Sequence, residues 1–240
     1  MKVLVFDDDP IHRLSAEFTL SDYDLTVVGT YDEAEKLLVP EYDYELRRAE
    51  LKRLLREARL PEDYNPYREE GASKEDEKKY DELEEMASKL ATTYPVFDVV
   101  MTDLFVPASE RAQGGAGLQH VGQQMPLGTT IALLALAVGI KKVAVVTDMN
   151  HHHHPASAAF DNFVSSSRYK RLKDLPIKIV CSNHSGHVLI DVETKKRITK
   201  EEWESADFDQ KYPFVDGNLG DRHGLSVGKD WGMILKELLS

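Results

Sequence analysis

Short apolar runs alternate with amphipathic segments at the start of this chain. The run Lys2–Phe6 is apolar in its last four residues, and a second apolar run covers Leu25–Val28. Each run is followed by a segment, at about 10–21 and 31–38, whose apolar residues recur at helical spacing. This β, α, β, α order predicts a parallel sheet with helices on both of its faces.

The same alternation resumes in the second half of the chain. Strands are predicted at Phe97–Asp103, Lys142–Val146 and Ile177–Cys181, which brings the predicted parallel sheet to five strands. Helices are predicted over 128–138, 155–165 and 229–239, and a small hairpin is predicted over 187–199. The predicted fold class is therefore α/β, with a doubly wound five-stranded parallel sheet and a small C-terminal β-hairpin.

A charged segment, at 41–93, interrupts this alternation. Both charge signs are interleaved in it, and its leucines lie mostly at helical spacing on either side of a loop at 61–73. The pattern predicts two amphipathic helices that form an αα-hairpin inserted into the domain. Two interpretations are open: a solvated insertion with one apolar face, or an arm that binds a partner or forms a homodimer.

Composition narrows the function classes. The formal net charge of −12 argues against sequence-independent binding to nucleic acid or to an anionic membrane, because both need a basic surface. Cys181 is the single cysteine, so no intramolecular disulfide can form, as is usual in a reducing compartment. The longest apolar stretch, at 131–140, is too short to span a membrane. We expect a cytoplasmic protein.

Chemically competent side chains follow three of the predicted strands. Asp7 and Asp8 follow the first strand, Asp103 ends the third, and Thr147 follows the fourth. Because ligands bind outside the carboxyl ends of strands in an open parallel sheet, we expect these residues to converge. Three carboxylates together favour a hard cation such as Mg²⁺, and a carboxylate beside the metal can attack a phosphoryl group.

Three segments resemble the receiver domain of two-component response regulators, which has a flavodoxin-like fold. They are the opening strand and turn at 2–13, the strand and proline at Asp98–Pro107, and the strand Val143–Thr147. The resemblance implies that Asp7, Asp8 and Asp103 hold Mg²⁺ together with the backbone carbonyl of Phe105. It also implies that Asp103 is the phospho-acceptor and that Thr147 senses the phosphoryl group. We expect one receiver-like domain over 1–240.

Two of the chain's departures from the receiver pattern bear directly on phosphorylation. Receivers carry a lysine followed by proline after the fifth strand, whereas here that strand runs into Ser182, Asn183 and His184, and we expect no such lysine. Asp148 stands where the family has a small residue, and a carboxylate there would disfavour a phosphoryl group. Both departures favour an alternative, a pseudo-receiver that acts as an interaction module without phosphorylation.

A run of histidines follows the fourth strand. His151, His152, His153 and His154, with His184, are candidate ligands for Zn²⁺ or another transition metal. Alternatively, one of them replaces the missing lysine as the partner of a phosphoryl group, or the run is simply a solvated loop.

The resulting hypothesis is a receiver-like signalling protein that is phosphorylated at Asp103. The implied partner is a histidine kinase or another signalling protein, output is by protein–protein contact, and we expect no enzymatic activity beyond phosphorylation and dephosphorylation of Asp103. A different enzyme class stays open, because Asp7 and Asp9 also resemble the Asp-x-Asp motif of haloacid-dehalogenase-like phosphatases. In that reading Thr147 is the second-motif hydroxyl, and Asp216 or Asp221 is a late metal ligand.

Overall fold

The computed structural model describes residues 1–69, 71–109, 119–147, 177–181, 187–199, 201–202 and 225–240. For 177–181 it describes the backbone alone. The predicted helix at 155–165 lies outside the described residues, and so does most of a glycine-rich segment at 113–122.

Two compact units divide the chain, one formed by Met1–Leu38 with Val96–Ser240 and the other by Val39–Pro95. The strands are β1 (Lys2–Phe6), β2 (Asp24–Val28), β3 (Glu41–Tyr42), β4 (Thr92–Thr93), β5 (Val99–Asp103), β6 (Val106–Pro107), β7 (Gln124–Met125), β8 (Lys142–Thr147), β9 (Ile177–Cys181), β10 (His187–Asp191), β11 (Lys196–Arg197) and β12 (Leu225–Lys229). The helices are α1 (Pro10–Thr19), α2 (Tyr31–Leu38), α3 (Tyr44–Glu57), α4 (Lys74–Leu90), α5 (Gly128–Ala137) and α6 (Trp231–Leu239), with a 3₁₀ turn at Pro66–Arg68.

A parallel sheet forms the centre of the first unit. Its strands lie in the order β2-β1-β5-β8, and the backbone of β9 pairs in parallel with the outer side of β8. The predicted α/β class with a parallel sheet is confirmed. In the register of the sheet, Phe6 pairs with Thr102, and Asp103 pairs with Val146. The carboxyl ends of β1, β5 and β8 therefore lie at the same edge of the sheet.

Both faces of the sheet are covered, because alternate residues of β1 enter different cores. Leu4 and Phe6 pack in a cluster that includes residues of α2 and α5. Val3 and Val5 pack in a second cluster with residues of α1 and α6. Strands buried on both faces read as nearly continuous apolar runs, which is why the composition of β1 and β5 was diagnostic.

The turn after β1 is fixed by helix capping. The Asp9 side chain accepts a hydrogen bond from the Ile11 N–H at 2.7 Å, and Pro10 occupies the first turn of α1. Both features are favourable at a helix N-terminus. The helix therefore begins immediately after the acidic run, and Asp7 and Asp8 stay at the end of the strand.

The C-terminal region differs from the prediction. The predicted hairpin exists as β10 and β11, but β12 pairs with the other side of β10, and the three strands form an antiparallel sheet. The predicted helix at 229–239 starts later, at Trp231, because Asp230 caps it by accepting from the Met233 N–H. Lys229 is thus the last residue of a strand, where the sequence pattern had suggested the first residue of a helix.

The second unit consists mainly of α3 and α4, which contact each other, and the short β3–β4 pair. Ser73 and Asp76 form a capping box at the start of α4, in which each side chain bonds the other residue's backbone N–H. Most charged side chains of the two helices pair with neighbours on exposed faces. Within the described parts of the chain, every helix is too short or too polar to cross a membrane.

Candidate functional site

Three predicted acids meet at the edge of the parallel sheet. Asp7 follows β1 and Asp103 ends β5, and one carboxylate oxygen from each lies within 4.8 Å of an oxygen of Asp8. Asp7 is fully buried, Asp103 is 6% exposed and Asp8 is half-buried. The in-register pairing of β1 with β5 brings the two buried carboxylates side by side.

A lysine that the sequence analysis missed lies between the two buried acids. Lys229 Nζ donates to Asp7 Oδ2 and to Asp103 Oδ1, each at 2.7 Å. Its side chain is almost fully buried, so the two ion pairs are shielded from water. No lysine directly follows the predicted fifth strand in the sequence, but a lysine from elsewhere in the chain contacts the acids.

The receiver pattern predicts this lysine only directly after the fifth strand of the sheet. Lys229 instead ends β12, which pairs with β10 outside the parallel sheet, and it lies 222 positions from Asp7 in the chain. The sequence does carry a signal for the strand that ends at Lys229, though not for its contact with the acids. The segment Leu225–Lys229 has a short strand-like alternation, and Asp230 directly after it is a suitable helix cap.

Charge and burial oppose each other at Asp7. Burial raises the pKa of the Asp7 carboxyl above its ordinary value, and the positive charge of Lys229 and the proximity of His12 offset part of this rise. If all four groups are ionised, the carboxylates of Asp7, Asp8 and Asp103 and the Lys229 ammonium, counted over the described residues, sum to a charge of −2. The site therefore retains electrostatic demand for a further cation.

Backbone and side-chain contacts fix the turn that carries Asp7 and Asp8. Arg13 Nη1 donates to the carbonyl oxygens of Asp7 and Asp8, at 2.9 and 2.7 Å. The Asp9 N–H donates to Asp7 Oδ1 at 2.9 Å, and Gln124 Nε2 donates to Asp8 Oδ2 at 2.8 Å. Each acid of the turn is thus oriented by a specific donor.

The start of α5 holds the other side of the site. A Cβ atom on Gly128 would lie 1.8 Å from the carbonyl oxygen of Asp103, so glycine is required for this close approach. The Gly128 N–H donates to the Leu104 carbonyl, and the Leu104 N–H donates to the Val146 carbonyl. These two bonds fix the backbone on either side of the β5–β8 junction.

The remaining predicted residues have different positions. Thr147 is buried at the end of β8, at the same sheet edge and one position beyond the partner of Asp103. Phe105 lies two residues after Asp103, and its side chain is buried in a core cluster. Asp9 is exposed and belongs to the helix cap instead of the three-acid cluster.

Several candidates lie outside the described residues: Asp148, His151, His152, His153, His154, His184, Asp216 and Asp221. The hypothesis that one of the histidines partners a phosphoryl group stays a prediction, and Lys229 is a second candidate for that role because it contacts Asp103. The transition-metal hypothesis for these histidines stays a prediction.

The donor set of the acidic site fits Mg²⁺. Hard divalent cations are bound by carboxylate oxygens, and the ligand atoms that the described residues offer at this site are three carboxylate oxygens. Comparisons of the chain with protein-family models, with curated proteins and with solved structures give no match. The function is therefore inferred from the geometry of this site.

Proposed function

We propose that this protein is a receiver-like signalling protein that accepts a phosphoryl group on Asp103. The observation that carries the proposal is Lys229, which bridges Asp7 and Asp103 at the carboxyl edge of the parallel sheet. A receiver needs two acids after the first strand, an acceptor aspartate on the third and a lysine beside them. In this proposal β9 is the fifth strand of a doubly wound, flavodoxin-like sheet.

The proposed reaction transfers a phosphoryl group from a phosphohistidine or a small acyl phosphate. A carboxylate oxygen of Asp103 attacks phosphorus, the bond to the donor nitrogen or oxygen breaks, and the leaving group keeps the electron pair. Lys229 supplies a fixed positive charge beside the new acyl phosphate. Mg²⁺ held by Asp7, Asp8 and Asp103, with the Phe105 carbonyl, would neutralise phosphoryl oxygens. In this proposal the Thr147 hydroxyl, which is buried at the same sheet edge, donates to the product.

Output from the proposed receiver is by contact with other proteins. The Val39–Pro95 unit exposes several large apolar side chains, among them Tyr44, Leu90 and Tyr94, and we propose that they take part in such contacts. A histidine kinase is the proposed donor. We also propose that the chain forms a homodimer through the Val39–Pro95 unit. Analytical ultracentrifugation of the wild type and of a variant with Tyr44, Leu90 and Tyr94 replaced by polar residues would measure the change in oligomeric state.

Beryllofluoride, which mimics a phosphoryl group on aspartate, tests the proposal directly. With Mg²⁺ present, ¹⁹F NMR should show saturable binding to the wild-type chain and no binding to D103N. The matched control is D9N, because Asp9 lies in the same acidic run but is exposed and caps α1. This variant should bind like wild type. Absence of binding to wild type, or binding that persists in D103N, would contradict the proposal.

A second candidate function is a pseudo-receiver that works without phosphorylation. It is favoured by one observation: Lys229 already forms an ion pair with both Asp7 and Asp103, and both acids are shielded from water. In this case Lys229 takes the place of the metal, and a Mg²⁺ titration followed by calorimetry should show no saturable binding.

The haloacid-dehalogenase-like alternative has less support from the geometry. It requires Asp9 as an acid or base near the reaction, but the Asp9 carboxylate bonds the Ile11 N–H at the helix N-terminus. It also gives no role to Asp103, which lies in the site. Hydrolysis of an aryl phosphate that is abolished in D9N would restore it.

A further inference from the structure

Lys229 reaches the acidic site from an unusual direction. The acids lie on the parallel sheet, whereas Lys229 belongs to β12, which pairs only with β10 among the described strands. No sheet hydrogen bond therefore links the lysine to the strands that carry its partners. Its position depends on what joins β12 to the rest of the unit, and the contacts point to α1.

Two side chains of α1 hold the backbone of Lys229. The Lys229 N–H donates to His12 Nδ1 at 3.3 Å, and Ser15 Oγ donates to the Lys229 carbonyl. His12 and Ser15 are both buried. Close approach of the strand to the helix requires Gly228, since a Cβ there would lie 2.6 Å from the Ser15 Cβ.

The first residue of α6 completes the arrangement. Trp231 is fully buried, and its Nε1–H donates to the His12 carbonyl at 2.9 Å. The Lys229 ammonium lies 5.5 Å from the centre of the Trp231 ring, within the range of a cation–π interaction. Trp231 is thus bonded to α1 and in contact with the lysine's charge.

We infer that His12, Ser15 and Trp231 act as positioning residues that clamp Lys229 between Asp7 and Asp103. This inference rests on the proposed function, because it concerns the affinity of the same site for metal and phosphoryl group. These contacts control how easily Mg²⁺ displaces the Lys229 ammonium from Asp7 and Asp103. Lys229 and Mg²⁺ compete for the same two carboxylates, so a lysine held less firmly is displaced more easily.

The test compares Mg²⁺ affinity and beryllofluoride affinity in W231F, S15A and K229M. K229M removes the competitor and should bind Mg²⁺ more tightly and beryllofluoride more weakly. W231F and S15A should shift both affinities in the same directions, by about fivefold, which corresponds to loss of one contact of this type. The control is L235A, which removes packing in the same core on α6 but none of the polar groups that hold Lys229.

A purely structural role makes a different prediction. In that case W231F, S15A and L235A would all lower stability, and all three would leave the two affinities at wild-type values while K229M changes them. This result would overturn the inference and leave the proposed function intact. Absence of any Mg²⁺ or beryllofluoride binding in wild type would instead overturn the proposed function.

A double-mutant cycle of W231F and K229M, measured by urea unfolding, tests the positioning of Lys229 without any ligand. If Trp231 positions the ammonium, W231F should raise the unfolding equilibrium constant about fivefold less in the K229M background than in wild type. Additive effects of the two substitutions would overturn the inference, whatever the ligand titrations show.

Discussion

Two ion pairs of nearly equal length illustrate how the two units differ. We call Met1–Leu38 with Val96–Ser240 the sheet unit and Val39–Pro95 the helical unit. Lys229 Nζ lies 2.7 Å from Asp7 Oδ2 in the sheet unit, and Lys89 Nζ lies 2.6 Å from Glu85 Oε1 in the helical unit. The side chains of the first pair are 2% and 1% exposed, and those of the second are 69% and 66% exposed. Distance therefore says little about what each pair does, and burial decides it.

The difference follows from desolvation. Water screens the exposed pairs along α3 and α4, so removing either partner leaves a charge that water solvates well. In the acidic site the Lys229 ammonium pairs with two buried carboxylates, which water solvates poorly. Among the described residues, charge changes should therefore matter more at Lys229 than along α3 and α4.

Removal of the Lys229 charge should have the largest effect on stability. K229M leaves Asp7 and Asp103 buried without their cation, and loss of one partner from a buried pair costs about 3–5 kcal/mol. Urea unfolding of the metal-free protein at pH 7 measures this free energy.

The matched substitution in the helical unit is K89M, which should leave the free energy of unfolding unchanged within error. Adding D7N to K229M should recover part of the loss, because it removes one of the uncompensated carboxylates. Equal losses in K229M and K89M would show that burial does not distinguish the two pairs.

A second comparison uses glycines from the two units. G128A places a Cβ against the Asp103 carbonyl and should destabilise the fold by about 1–3 kcal/mol, as overpacked sites do. It should also weaken beryllofluoride binding, because α5 would be pushed away from the acceptor strand.

Gly71 in the helical unit has φ +92° but open space around it. G71A should cost only about 1 kcal/mol of backbone strain, and beryllofluoride affinity should stay at the wild-type value. A G128A variant that is as stable as wild type would mean that α5 can move without cost.

The sequence predicted the sheet better than it predicted the site. Apolar runs at β1, β5 and β8 are strong signals because each strand is buried on both faces. The convergence of Asp7, Asp8 and Asp103 followed from the rule that parallel strands end at a common edge. These features depend on local composition and on one topological rule.

Lys229 could not be found by the same rules. Its strand, β12, contributes to an antiparallel sheet, and its contact with Asp7 depends on tertiary packing of β12 against α1. Gly228 and Ser15 carry that packing, and neither residue has a local sequence pattern that points to the other. The position of a side chain that reaches its site through tertiary packing alone therefore could not be predicted from the sequence.

The smallest effects concern pH, and they should have opposite signs in the two units. Burial raises the pKa of Asp7, so the folded protein binds this proton more tightly than the unfolded chain does. As pH rises from the ordinary value of 3.8 through the raised value, Asp7 should reduce stability. Hydrogen bonds from Ser73 lower the pKa of Asp76, so its stabilising effect is present above 3.8 and is lost as pH falls.

Urea unfolding of metal-free D7N and D76N between pH 3 and 7 measures these two contributions. With rising pH, wild type should lose stability relative to D7N and gain stability relative to D76N. Only the signs of these two stability differences matter for the comparison. Each variant shares all other titrating groups with the wild type, so their contributions cancel in the differences. Because Lys229 lowers the pKa of Asp7, the K229M background should steepen the Asp7 trend and leave the Asp76 trend unchanged. Slopes of the same sign for both acids would show that burial does not control the Asp7 carboxyl.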